Sequence, residues 1–171
     1  MKKAITCAVI SIALGYAAAA AGQDTLVKFD GGIGVIPVSS APGSAATANT
    51  VNRNIVRGVQ PPGQPWVIGR LEAEVTTDSH ISVAGRGLLL AGGNNVGMNG
   101  NASVFATLIC QTATGFAEHN TTPAGVPLQL NGDFRIEDTL TPVLTGECAS
   151  PVLLIRNAAN QAWFAAGIVR R

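Results

Sequence analysis

Glu72-Ala73-Glu74 is the first place in this chain where residue types and spacing suggest chemistry. On an extended strand the two carboxylates share a face about 7 Å apart. That separation falls in the range of the paired carboxyl groups of glycoside hydrolysis. Arg70 lies on the same face, and Glu/Arg alternation is what a solvated sheet surface looks like, so the pair reads as a wet face. Asp133, Glu137 and Asp138 gather in DFRIED. A calcium ion takes six or more oxygens, often from several loops, and no EF-type loop is present. His80 and His119 are the only histidines, each in a turn-like polar segment, and both read as solvated loop residues. A three-histidine metal site is therefore excluded within one chain, and HExxH is absent. Nucleophilic catalysis needs a base and an orienting group beside the nucleophile. No GxSxG elbow occurs, and Ser44, Ser79, Ser82 and Ser103 fall in turns or on wet faces. The expectation is a chain with no catalytic residue, no metal and no cofactor.

The stretch AGRGLLLAGGNNVGMNGN, residues 84–101, holds six glycines and four asparagines. A Walker loop needs GxxxxGK[ST], whose lysine neutralises phosphate oxygens, and no lysine is near. Gly85 and Gly87 begin a GxGxxG pattern, but Leu90 stands where the third glycine belongs. The stretch reads as buried strand at Leu88 to Leu90, followed by a wide connection using Asn and Gly for positive φ. Such end loops are common binding surfaces, which makes Arg86, Asn94, Asn95 and Asn99 the candidate binding loop. Arg57, Arg86 and Arg156 stand where strands end, and each reads as pinning structure by pairing with Asp133 or Glu147. Trp66 and Trp163 are flanked by apolar residues and read as core. The alternative makes one of them a stacking surface beside the Asn-rich loop.

These side chains must be positioned by strands. Val67, Gly69, Leu71, Ala73 and Val75 alternate with Ile68, Arg70, Glu72, Glu74 and Thr76, the period of a half-buried strand. Val104, Ala106, Leu108 and Cys110 define one face of SVFATLICQT. GVPLQLNGDFRIED reads as two short strands about an Asn131-Gly132 hairpin turn. PVLLIRNA and QAWFAAGIV form a final pair joined through 157–161. The early DTLVKFDGGIGVIPVSS gives one or two strands, and 41–54 reads as a long surface connection. VQPPGQP then makes a rigid, extended approach to Trp66. No window after the first residues carries convincing helical periodicity with caps. The predicted class is all-β: an antiparallel, immunoglobulin-like β-sandwich, with a small β-barrel as the alternative. An outer-membrane barrel would need repeated segments of about 10 residues with aromatic girdles, which are missing.

Lys2 and Lys3, an apolar run from Ala4 to Gly15 and small residues at 17–21 have the order of a secretory signal peptide. The expected organisation is a cleaved 1–21, an N-terminal region 22–65 with strands and a Pro-rich connection, and a core at 66–171, with 22–171 forming one domain. Export places Cys110 and Cys148 in an oxidising compartment, where they are expected to form a disulfide. Cys7 leaves with the signal. The remaining chain has nine Lys+Arg against ten Asp+Glu, with no basic block. This balance argues against a nucleic acid partner and against docking on an anionic membrane. The expected location is periplasmic or extracellular, without stable membrane insertion after cleavage.

GRGLLLAGGNNVG, ATLICQT, GDFRIEDTL and PVLLIRNAANQAWFAAGI, taken as a series over Trp66 to Ile168, resemble a group of small exported bacterial all-β proteins of uncharacterised function. The resemblance implies a secreted all-β domain and transfers no catalytic residue. The functional expectation is an exported, non-enzymatic structural or interaction domain with a protein partner. The alternative is a small-ligand or saccharide-binding β-sandwich.

Overall fold

The computed structural model describes residues 24–40 and 51–170. The signal-peptide reading and most of the predicted connection at 41–54 lie outside them. Thirteen strands and no helix occur among the described residues, so none contains a helix long and apolar enough to cross a membrane. In order they are β1 (Thr25–Gly34), β2 (Val38–Ser40), β3 (Val51–Arg53), β4 (Trp66–Val67), β5 (Arg70–Thr76), β6 (His80–Arg86), β7 (Leu89–Leu90), β8 (Ser103–Thr112), β9 (Gly115–Asn120), β10 (Val126–Pro127), β11 (Phe134–Thr139), β12 (Ala149–Asn157) and β13 (Trp163–Val169).

The all-β antiparallel class is present, as one curled sheet. Its order is β10-β8-β12-β13-β1-β5-β6-β11, with β9 also on β8. Strand β1 sits between β13 and β5, so the N-terminal region contributes to the centre of the main sheet. β10 and β9 divide one edge of β8 between them. Where they part, the Thr121 hydroxyl replaces a carbonyl and accepts the Ala106 amide at 2.9 Å. The sheet curls until the end of β11 returns to β9: Asn120 and Thr141 exchange both backbone hydrogen bonds at 2.8 Å. The small sheets β2-β3 and β4-β7 lie apart from this path.

Alternation explains the inner face. Leu71, Ala73 and Val75 of β5, Ile81 and Val83 of β6, and Val104, Ala106, Leu108 and Cys110 of β8 are buried. Phe134 and Ile136 join them from β11. Gly85 is opposite Phe134 and leaves room for its ring: a Cβ there would lie 2.0 Å from Phe134 Cε1.

The outer face of β8, β12 and β13 departs from simple alternation. Phe105, Thr107, Ile109, Leu154, Arg156 and Trp163 are buried as well. The segment 54–62 lies across them. Its Val56–Val59 turn has Arg57 and Gly58 at positive φ, the conformation of a tight primed turn. Arg57 donates to the Ile109 carbonyl at 2.8 Å and its guanidinium lies 4.7 Å from the Phe116 ring centre. The Trp163 amide donates to Gln60 O, and its indole Nε1 donates to Asn54 O at 2.9 Å.

Three expectations are corrected. Residues 51–53 of the predicted connection form β3, paired with β2. The strands flanking Asn131-Gly132 do not make a hairpin: β10 pairs with β8 and β11 with β6. Only Gly132 of that dipeptide has positive φ, whereas a primed hairpin turn needs it at the first central residue or at both. His119 is not a loop residue; it is buried on β9, with Nδ1 2.6 Å from Pro142 O.

Cys110 and Cys148 are joined by a disulfide, which ties the 141–148 segment to β8. Such a bond fits an oxidising, non-cytoplasmic compartment.

Candidate functional site

The sequence-derived carboxylates lie on the wet face of β1-β5-β6-β11. There Ser82 and Ala84 are short residues between taller neighbours, and the result is an open trough of about 270 Å³. Its walls are ion pairs. Glu74 lies 3.2 Å from Lys28 Nζ and accepts from the Thr25 hydroxyl. Glu72 pairs with Arg70, and Glu137 with Arg135. The Thr25 hydroxyl and then the Lys28 ammonium hold the Glu74 carboxyl below the usual range. A carboxylate stabilised in its charged form is a poor proton donor, and ion pairs across strands at Lys28–Glu74 and along one strand at Arg70–Glu72 and Arg135–Glu137 are what a solvated sheet face makes. His80 Nε2 lies 3.8 Å from Glu137 at one margin. Among the described residues no three His, Cys, Asp or Glu side chains are grouped to hold a metal ion.

A second concavity lies where the Gly/Asn-rich loop meets the proline segment. Trp66 on β4 pairs with Leu90 on β7. The amide of Trp66 donates to Val35 O and that of Val35 to Phe164 O, both at 3.0 Å. These bonds bring the Trp66 and Phe164 rings into a stack, with centres 3.9 Å apart and planes inclined by 13°. Both tryptophans are thus buried, Trp66 at 6 % and Trp163 at 3 % exposure. Trp66 borders a cleft.

The loop at 91–102 is rigidly built. Gly93, Gly97, Gly100 and Asn101 adopt positive φ. The Gly97 amide returns to Leu90 O at 2.8 Å and that of Leu90 donates to Met98 O at 2.9 Å. Asn99 clamps it: its Nδ2 donates to the Leu128 and Gln129 carbonyls at 3.1 and 3.0 Å, while its Oδ1 accepts from the Asn101 amide. A buried amide with every role filled is a structural part.

Between this loop and 62–64 lies a cleft of about 290 Å³. Trp66 and Phe164 contribute to its floor, and Gln64, Asn95, Asn157 and Asn160 to its rim. The orientation of two rim amides is fixed. Asn157 Oδ1 accepts the Ala159 amide at 2.7 Å, and Asn160 Oδ1 accepts the Ala162 amide at 3.1 Å. Their Nδ2 groups are left as donors. No charged side chain lines the cleft.

The four residues of the candidate binding loop do not converge. Asn95 is on the cleft, Asn94 is exposed beside it, Asn99 is turned into the fold, and Arg86 stands exposed at the end of β6, opposite Arg70. The arginine partners expected from the sequence are also corrected. Asp133 accepts from Gly87 N at 3.0 Å. Arg156 instead meets Glu118 at 2.7 Å, donates to Gln161 O at 2.9 Å and lies over Phe105. Sequence reasoning missed Gln64, Asn157, Asn160 and Phe164; the Asn-rich turn between β12 and β13 was a local signal for Asn157 and Asn160 alone.

No protein-family model matches this chain, and no curated protein or solved structure matches it either.

Proposed function

We propose that this chain is an exported, non-enzymatic interaction domain whose recognition surface is the sheet end built by 91–102, 128–132 and 60–66. The observation that carries this reading is the Asn99 clamp. It ties two loops whose tips hold apolar side chains in solvent: Val96 is 61 % exposed, Met98 55 % and Leu130 88 %. Apolar tips on a fixed frame lose little conformational entropy when a partner covers them, and loops on rigid scaffolds are where binding residues concentrate. The ion-paired state of Glu72 and Glu74 supports a non-enzymatic role. Export is supported by the Lys-apolar-small order of residues 1–21 and by the disulfide.

The test is a photocrosslinking residue placed at Leu130 in the secreting cell, compared with the same probe in a Val96→Ser/Met98→Ser background. The reading expects one dominant crosslinked protein whose yield falls in the double variant while the melting temperature holds. Unchanged crosslinking in that background would sink the proposed surface. Turnover of a substrate that Glu72→Gln abolishes would sink the non-enzymatic reading.

A further inference from the structure

We propose that the cleft over the Trp66–Phe164 stack binds a neutral saccharide, with the side-chain amides of Asn157 and Asn160 donating to its hydroxyl oxygens. This rests on reading that end of the molecule as its recognition surface. Three observations identify the ligand class.

The cleft has no charged side chain. An anionic or cationic ligand entering it would lose solvation without gaining a counter-charge, which is costly. A neutral ligand escapes that cost.

The polar groups at the rim are amides, and two of them are pre-oriented. Their Oδ1 atoms are occupied by the Ala159 and Ala162 backbone amides, so each presents Nδ2 outward as a donor. Gln64 and Asn95 add further amide groups. Such a rim suits a ligand with several hydroxyl oxygens, each able to accept and to donate.

The floor is aromatic and the cleft is small. About 290 Å³ lies at the lower end of the range for ligand pockets; it is sized for a sugar ring or two and is short for an extended peptide. Gly100, with φ 60°, lies against the Trp66 ring. A Cβ there would lie 3.2 Å from Trp66 Cη2, so the missing side chain leaves the indole margin clear.

The indole gives the readout. In Trp163→Phe, Trp66 is the sole tryptophan, because the sequence holds only these two; Trp163 lies on the opposite face, with its Nε1 donating to Asn54 O. Glucose, galactose, mannose, N-acetylglucosamine and their disaccharides are titrated into this oxidised protein while Trp66 emission is followed. One of them is expected to give a saturable change with a dissociation constant on the order of 1 mM. Asn160→Asp keeps the oxygen that accepts the Ala162 amide and replaces the donor by an anionic oxygen. It is expected to weaken binding by about tenfold or more, with an unchanged melting temperature. Asn157→Asp is the second variant, should the first unfold.

No emission change up to about 100 times that concentration, in protein shown to be folded, overturns the inference. Equal or tighter binding of glucuronate overturns the neutral-ligand claim, and saccharide binding indifferent to both Asp substitutions overturns the site. The Leu130 crosslink is independent of all three results, so loss of the saccharide reading leaves the wider surface to be judged separately.

Discussion

The Asp138 carboxylate accepts the Thr122 amide at 2.7 Å across the line where the curled sheet meets itself. Its other oxygen accepts the Thr139 amide at 2.8 Å. Backbone pairing at this seam is confined to the bridge between Asn120 and Thr141, so one side chain does work that a strand ladder does elsewhere. Burial pushes the Asp138 carboxyl up, but hydrogen bonds from the Thr122 and Thr139 amides and the Thr122 hydroxyl outweigh it and hold it below the usual range.

Because that folded value is depressed, the stability Asp138 contributes is complete above about pH 4, the unfolded carboxyl range. It is lost as pH falls through the lower folded value. Asp138→Asn is therefore expected to cost about 1–2 kcal/mol near neutrality and to flatten the acid limb of the stability curve. Urea midpoints measured from about pH 6 down to about pH 3 check this; parallel curves for parent and variant would remove Asp138 from the seam.

Gly85 and Phe134 make a second prediction. Gly85→Ala places a methyl group inside the Phe134 ring envelope, and overpacking of this kind costs about 1–3 kcal/mol. Combining it with Phe134→Leu should recover part of the loss. A thermal melt decides: an unchanged transition in the single variant contradicts the packing described.

Arg156 is a buried cation with several partners. A lysine cannot reach the Gln161 carbonyl and the Glu118 carboxylate together while lying over Phe105. Arg156→Lys is expected to cost about 2 kcal/mol or more. Glu118→Gln should cost about 1 kcal/mol, because the Glu118 end is 40 % exposed and screened. Chemical denaturation of both variants tests the order of the two effects, which should not reverse.

The disulfide closes a separation of 38 residues. On the chain-entropy account it stabilises the fold by about 4 kcal/mol. Cys110→Ser with Cys148→Ser should lower the denaturant midpoint accordingly, and a loss well under about 2 kcal/mol would mean that the reduced, unfolded chain is already compact.

Much of the fold was legible from neighbouring residues. In β5 the alternation of Leu71, Ala73 and Val75 with Glu72 and Glu74 places the core face correctly, because successive side chains of a strand point to opposite sides. Cys110 and Cys148 are expected to pair, and that bridge is present. The same alternation puts Thr107 on the face opposite Ala106 and Leu108, yet it too is fully buried. Its hydroxyl donates to Asn120 Oδ1 and accepts from Arg156, 13 and 49 residues away in sequence.

The candidate site divides the same way. Glycine and asparagine in 92–101 announce positive φ and a loop, since those residues tolerate that backbone. Whether an asparagine faces solvent or the fold is not a local property: Asn95 and Asn99 are four residues apart, and the carbonyls of Leu128 and Gln129 turn only Asn99 inward. By itself, then, the sequence determined the all-β class, the inner faces of β5, β6 and β8 and the cysteine pair, all of which follow from local alternation and composition. Only the tertiary structure decided which outer face is covered, where the sheet closes, and that Gln64, Asn95, Asn157 and Asn160 border one cleft. Those depend on which distant segments pack together, and no local period encodes that.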